Sequence, residues 1–171
     1  RLRMNTITEG RQGRPVWDRP NGLGLALSMV IPLVAVVAGN GILFAVGDVE
    51  NADYAAVPWN PPGWLIGAIW CVIYPLWGAA RWKTATANDP RAARSWWPVA
   101  LIVWGLMYPV VTAYVGTLGS VMANGFSLGL AVVAALMVRP VSKVAFWLIA
   151  PSLVWLVIAN VLGLQALQMA G

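Results

Sequence analysis

Trp70, Tyr74 and Trp77 stand at i, i+4 and i+7, a spacing that puts three aromatic rings on one face of a helix. Such a stripe has two readings. It can wall a flat cavity that accepts a planar ring system, or it can be a packed aromatic core, and spacing favours neither. Trp104 and Trp155 also fall mid-way along apolar stretches, away from the ends where tryptophan usually marks a membrane interface. Trp155 follows Pro151, whose missing N–H frees a carbonyl one turn back and lets a helix bend, opening space beside it. The polar groups near these rings are neutral: Asn40, Asn124, Asn160 and the hydroxyls of Tyr74, Tyr108 and Tyr114. Asparagine in an apolar segment more often bridges helices than holds a ligand, and Asn160 is placed to do either.

No Asp, Glu, Lys, Arg or His lies in the interior of any apolar stretch, and histidine is absent from the chain. Ionisable groups inside a membrane are costly and mark proton relays and charged-substrate pathways, so their absence argues against both. It argues equally against acid–base hydrolysis within the bilayer. The commonest metal ligand and the usual haem ligand are missing too. What remains is the binding of an apolar or aromatic molecule. A reaction would have to draw on the ligand's own photochemistry. A lone cysteine, Cys71, leaves no internal disulfide.

The elements that carry these residues are legible from hydropathy. The chain is 60% hydrophobic and 10% charged, where a soluble domain carries about 25% charged residues. Five apolar stretches, about 22–46, 61–82, 96–115, 120–138 and 144–168, suit the roughly 20 residues that cross a bilayer. The fold class is therefore all-α, an integral membrane bundle of five transmembrane helices over residues 22–168. The first stretch is longer than a signal-peptide core and lacks a clear cleavage site, which predicts an uncleaved anchor. Pro61 and Pro62 sit where a helix tolerates proline, in the first turn of the second span. Gly116 to Gly119 predicts a tight reversal, and Gly125-x-x-x-Gly129 predicts close helix packing within the chain, with dimerisation as the lesser reading. Residues 1–21 form a basic arm rich in Gly, Pro and Asn, predicted to be extended or disordered.

Charge assigns the sides. Of the 11 Lys and Arg residues, all lie in the arm, in the connector from Arg81 to Arg94, or at Arg139 and Lys143; the other loops and the C-terminal tail have none. Asp48, Glu50 and Asp53 lie in the first loop. The positive-inside rule then puts the N-terminus in the cytoplasm and the C-terminus in the periplasm, in a bacterial inner membrane. The basic residues form short stretches between apolar runs rather than one soluble face, which excludes nucleic acid and leaves lipid head groups as their partners.

One sequence stretch is more specific: Trp59-Asn60-Pro61-Pro62-Gly63-Trp64 leads into the second span, Ile69-Trp70 follows, Pro109 lies in the third, and Pro151-Ser152-Leu153-Val154-Trp155 lies in the fifth. In this order, over residues 22–168, they resemble the translocator protein / tryptophan-rich sensory protein (TspO/MBR) family. The resemblance implies a five-helix bundle, often a homodimer, that binds porphyrins and other flat hydrophobic ligands. It places Trp70 and Trp155 at the two pocket tryptophans of porphyrin-degrading members, and Trp59 and Pro61 in the loop that lids the pocket. The sequence departs from the family pattern at Ala56-Val57, where Lys-Pro is usual, and at Leu156 to Ala159, where polar residues follow the tryptophan. The implied pocket is unusually apolar.

Two functions follow as expectations. One is a sensory or regulatory membrane protein binding a tetrapyrrole (a porphyrin or chlorin), a carotenoid or another flat lipid through Trp59, Pro61, Trp70, Tyr74, Trp77, Trp104, Pro151, Trp155 and Asn160. The other is an accessory subunit docked on a larger membrane complex, such as a photosynthetic pigment–protein assembly.

Overall fold

A computed structural model describes residues 15–46 and 57–170. Five long helices carry the apolar stretches: α1 (Gly22–Val46), α2 (Gly63–Ala85), α3 (Trp96–Thr112), α4 (Gly116–Val138) and α5 (Lys143–Ala170). Each is long and apolar enough to cross a membrane, α3 together with the turn from Ala92 that leads into it. The outward faces are correspondingly apolar, with Val34, Val72, Phe126 and Val154 all exposed. Trp64, Trp96 and Trp147 project outward near helix ends, where an indole suits the interface.

The helices alternate direction, so their ends form two levels. The level bearing Arg81, Lys83, Arg91, Arg94, Arg139 and Lys143 is called the basic end. α2 is the hub, packing on α1, α3 and α5, while α4 closes the ring by packing most extensively on α5 and also on α3. The contacts of α1 are chiefly with α2, then with the Val16–Asp18 turn that precedes it and, more sparsely, with α3. The core runs between α2, α4 and α5 and is lined by small residues on α4: Ala131, Ala134 and Ala135 are buried, which brings the neighbouring helices close.

One crossing is set by a proline and a glycine together. Pro32 in α1 has no N–H for the Ser28 carbonyl. That carbonyl lies so close to Gly78 of α2 that a Cβ there would collide with it. The freed acceptor is thus covered by a backbone that only glycine allows so near.

Three local expectations are corrected. The reversal between the third and fourth spans is made by residues 113–115, and Gly116, at φ 64°, opens α4 rather than lying mid-turn. A left-handed φ is cheap only for glycine, which lets the turn be shorter than the glycine spacing suggested. Gly129 has nothing near it, whereas Gly125 abuts Asn160 of α5, so only half of the motif packs within the chain; α4 uses its alanine face for most of its internal packing. The end of the basic arm, 15–21, is docked rather than extended. Val16–Asp18 forms a turn of 3-10 helix, and Asp18 pairs with Arg81 at 2.6 Å. Trp82 donates its indole N–H to the Arg19 carbonyl at 3.0 Å, and Ser28 Oγ donates to the Trp17 carbonyl at 3.1 Å. Residues 1–14, and the acids of the first loop, lie outside the described residues.

The connector at the basic end is also tied across the chain. Arg94 donates to the Met137 carbonyl at 3.2 Å, placing a cation over the C-terminal end of α4, and Arg91 to the Pro140 carbonyl in the following turn at 3.4 Å. Asp89 accepts from the side chain and backbone of Arg91, which holds its carboxyl down at about 2.

Candidate functional site

The aromatic stripe of α2 forms one cluster. Trp70 meets Tyr74 and Trp77 edge-on, at centroid separations of 5.8 and 6.0 Å, and Tyr74 and Trp77 are 5.2 Å apart. Tyr74 and Trp77 are buried, each 2% exposed; Trp70 is half-buried. Room for the Tyr74 hydroxyl comes from Gly105 of α3, where a Cβ would strike it.

Two small cavities flank this cluster. One, of about 40 Å³, lies between α1, α2 and α3, with Val36, Asn40, Tyr74 and Pro109 in its wall. The second, of about 20 Å³, lies at the centre of the ring, with Trp77, Trp104, Asn124, Ser127 and Leu156 in its wall. Trp70, Gly105 and Tyr108 belong to both walls, so these residues lie between the two spaces. A single water needs roughly 10–15 Å³ measured this way, so each cavity has room for only a few small groups.

Most interior polar groups are already paired. Trp77 donates to Ser152 Oγ at 3.1 Å, joining α2 to α5. Trp104 donates to Ser127 Oγ at 2.7 Å, and Tyr108 donates to Asn124 Oδ1 at 2.7 Å, joining α3 to α4. Asn160 Nδ2 donates to the carbonyls of Asn124 and Leu156, at 3.2 and 2.7 Å. Asn124 and Asn160 therefore bridge α4 and α5, each interhelical bond contributing of order 1 kcal/mol. The unpaired indoles are then informative. Among the described residues, neither Trp70 nor Trp155 has a hydrogen-bond acceptor for its N–H.

These contacts locate the remaining expected residues. Trp155 is buried at 8% exposure in the core, but neither cavity wall includes it; its neighbour Leu156 does the lining. Pro151 sits inside an unbroken α5 and is exposed, while Ser152 beside it is buried and donates to the Ile149 carbonyl at 2.7 Å. The loop residues lie at the end opposite the basic one. Trp59 donates to Gln165 Oε1 at 2.6 Å, and Val57 packs with Leu162 and Ala166, so the loop is seated on the last turns of α5. Pro61 precedes α2 and is half-buried. The structure thus brings Trp70, Tyr74, Trp77 and Trp104 together around the cavities and places Trp59 and Pro61 apart from them.

A profile of the TspO/MBR family matches residues 25–168, nearly the whole chain. The chain belongs to the TspO/MBR family. No curated protein and no solved structure gave a significant match. This TspO/MBR member is an integral membrane protein of five helices, and its Trp-Asn-Pro-Pro loop, Trp70 and Pro151-to-Trp155 segment all fall within the match. Reasoning from sequence did not single out Gly105, Ser127 or Ser152. Signals existed: Gly105 is four residues before Pro109, and Ser152 directly follows Pro151.

Proposed function

We propose that this TspO/MBR protein binds a flat hydrophobic ligand, a tetrapyrrole or a comparable planar lipid, in a sensory or regulatory role. The observation that carries this reading is the position of Trp70. Its ring separates two cavities, and its N–H has no acceptor among the described residues, in a bundle whose other cavity-lining indoles are bonded. Turning that side chain would remove one of the three residues, with Gly105 and Tyr108, that both walls share. The cavity volumes are far below the several hundred Å³ of a typical ligand pocket, so a ring system enters only as helices part. α1 is the element that can yield, since its contacts are chiefly with α2.

The basic end belongs in the cytoplasm and the Trp59 loop on the periplasmic side of a bacterial inner membrane, from the positive-inside rule. A reporter fused to the C-terminus should be active only outside the cytoplasm. The outer face of α4 around Gly125 and Gly129 suits a second copy, because small residues let helices approach closely.

Titration of the purified protein in lipid nanodiscs with protoporphyrin, followed by the porphyrin's own absorption, tests the ligand reading. Saturable binding should weaken about tenfold or more in Trp70→Leu, because the aromatic wall is lost. Binding of both protoporphyrin and its dimethyl ester no greater than that of an unrelated tryptophan-rich membrane protein would end this reading.

A further inference from the structure

The cavity between α1, α2 and α3 holds polar groups that the bundle leaves unused. Tyr74 is 2% exposed and lines this space, yet its hydroxyl has no hydrogen-bond partner among the described residues. Asn40 lines the same wall from α1, and its amide is likewise without one. Pro109, also in the wall, cannot give the Gly105 carbonyl its helical N–H. Asn40 is half-buried, and both it and Tyr74 border the cavity, so each keeps its hydrogen-bonding capacity open to a molecule that enters it. Val36, Leu106 and Trp70 make the rest of the wall apolar.

The charge around this space is as informative as its polarity. α1 carries no cation among its residues, and α3 none. On α2 the nearest is Arg81, seven residues beyond Tyr74, about 10 Å along the helix, and it is committed to Asp18 at 2.6 Å. Asn40, Trp70 and Pro109 lie toward the end opposite the basic one, where the sequence supplies Asp48, Glu50 and Asp53 and no Lys or Arg. A carboxylate brought here would be desolvated without a counter-charge from any of these three helices.

From this we infer that the site selects a neutral ligand: a flat apolar body bearing a hydroxyl, ester or ketone oxygen, seated on Tyr74 Oη and Asn40, in preference to a free carboxylic acid. Tyrosine and asparagine each both donate and accept, which matches an uncharged oxygen. The inference rests on the ligand-binding reading above and narrows it. A tetrapyrrole is accepted on these terms as an ester or alcohol rather than as a diacid.

The test compares protoporphyrin with its dimethyl ester in nanodiscs of neutral lipid, on the full chain and on the double variant Tyr74→Phe/Asn40→Leu. Partition into bilayer differs between the two probes, so the uptake of each by protein-free nanodiscs of the same lipid is measured and subtracted. The expected result is at least about tenfold tighter binding of the ester than of the diacid to the unaltered protein. A further loss of about threefold to tenfold for the ester is expected on each single substitution, the range for one hydrogen bond. Equal or tighter binding of the diacid overturns the inference while leaving the ligand-binding reading intact. Ester binding that the double variant does not weaken, with helicity unchanged by circular dichroism, also overturns it and assigns the cavity to water. Binding of neither probe sinks the parent reading instead.

Discussion

At the basic end, Asp18, Trp82, Arg91 and Arg94 are each bonded to a different stretch of chain, so the arm, the α2–α3 connector and the end of α4 are fastened together. At the opposite end the loop is tied by Trp59 to Gln165 over a small apolar patch of Val57, Leu162 and Ala166. Both ends cap the same five helices. The difference suggests where opening would begin: among the described residues, the basic end is held by an ion pair and ties to backbone carbonyls, and loop residues 57–60 by the Trp59–Gln165 bond over that patch. A ligand that parts α1 from its neighbours would do so from the weaker end, pivoting on the Ser28–Gly78 crossing nearer the basic one.

The largest effect should come from breaking that pivot. Gly78→Leu puts a side chain where the Ser28 backbone lies, and neither helix can yield locally. A destabilisation of about 3 kcal/mol or more is expected, read as a fall in the thermal midpoint of helical circular dichroism in mild detergent. An unchanged midpoint would mean that α1 does not pass so close to α2.

Loosening the basic end should cost less. Arg81→Ala leaves Asp18, itself only about a fifth exposed, without its counter-charge. A loss of about 1–2 kcal/mol is expected, between the values for surface and buried pairs. A labelling reagent should also reach a cysteine placed at Val16 faster in this variant. If labelling is unaffected, the ion pair does not hold the segment 15–21 in place.

The smallest change in stability and the clearest change in kinetics belong to the other end. Trp59→Phe or Gln165→Leu removes one exposed hydrogen bond, about 1 kcal/mol or less, yet should speed both ligand association and release. Stopped-flow measurement with either porphyrin probe would show this. Rates that match the unaltered protein would make the loop a passive connection, and the contrast between the ends would lose its functional meaning.

Much of the bundle was legible beforehand because hydrocarbon imposes a simple rule: backbone groups must be satisfied within the segment, so apolar stretches of sufficient length become helices. α1 begins and ends where its stretch does, at Gly22 and Val46. The site was legible in part. The i, i+4, i+7 rule did unite Trp70, Tyr74 and Trp77, because it concerns one helix. Trp104 reached the same cavity wall through an α3–α4 pairing with Ser127 that no local spacing encodes. Gly129 was misjudged for the same reason, since hydropathy cannot tell which face of an all-apolar helix turns to lipid.

Sequence by itself determined that this chain crosses a membrane five times as a TspO/MBR helical bundle, with neutral chemistry within its spans. Those properties depend on composition, length and motif order along one dimension. Only the tertiary structure decided which neutral groups are spent: Asn124 and Asn160 bridge helices, while Tyr74 and Asn40 face a cavity with no hydrogen-bond partner among the described residues. The physical reason is that a hydrogen bond between helices depends on rotation and crossing, and these are set by close approaches such as Ser28 to Gly78 that involve residues far apart in the chain.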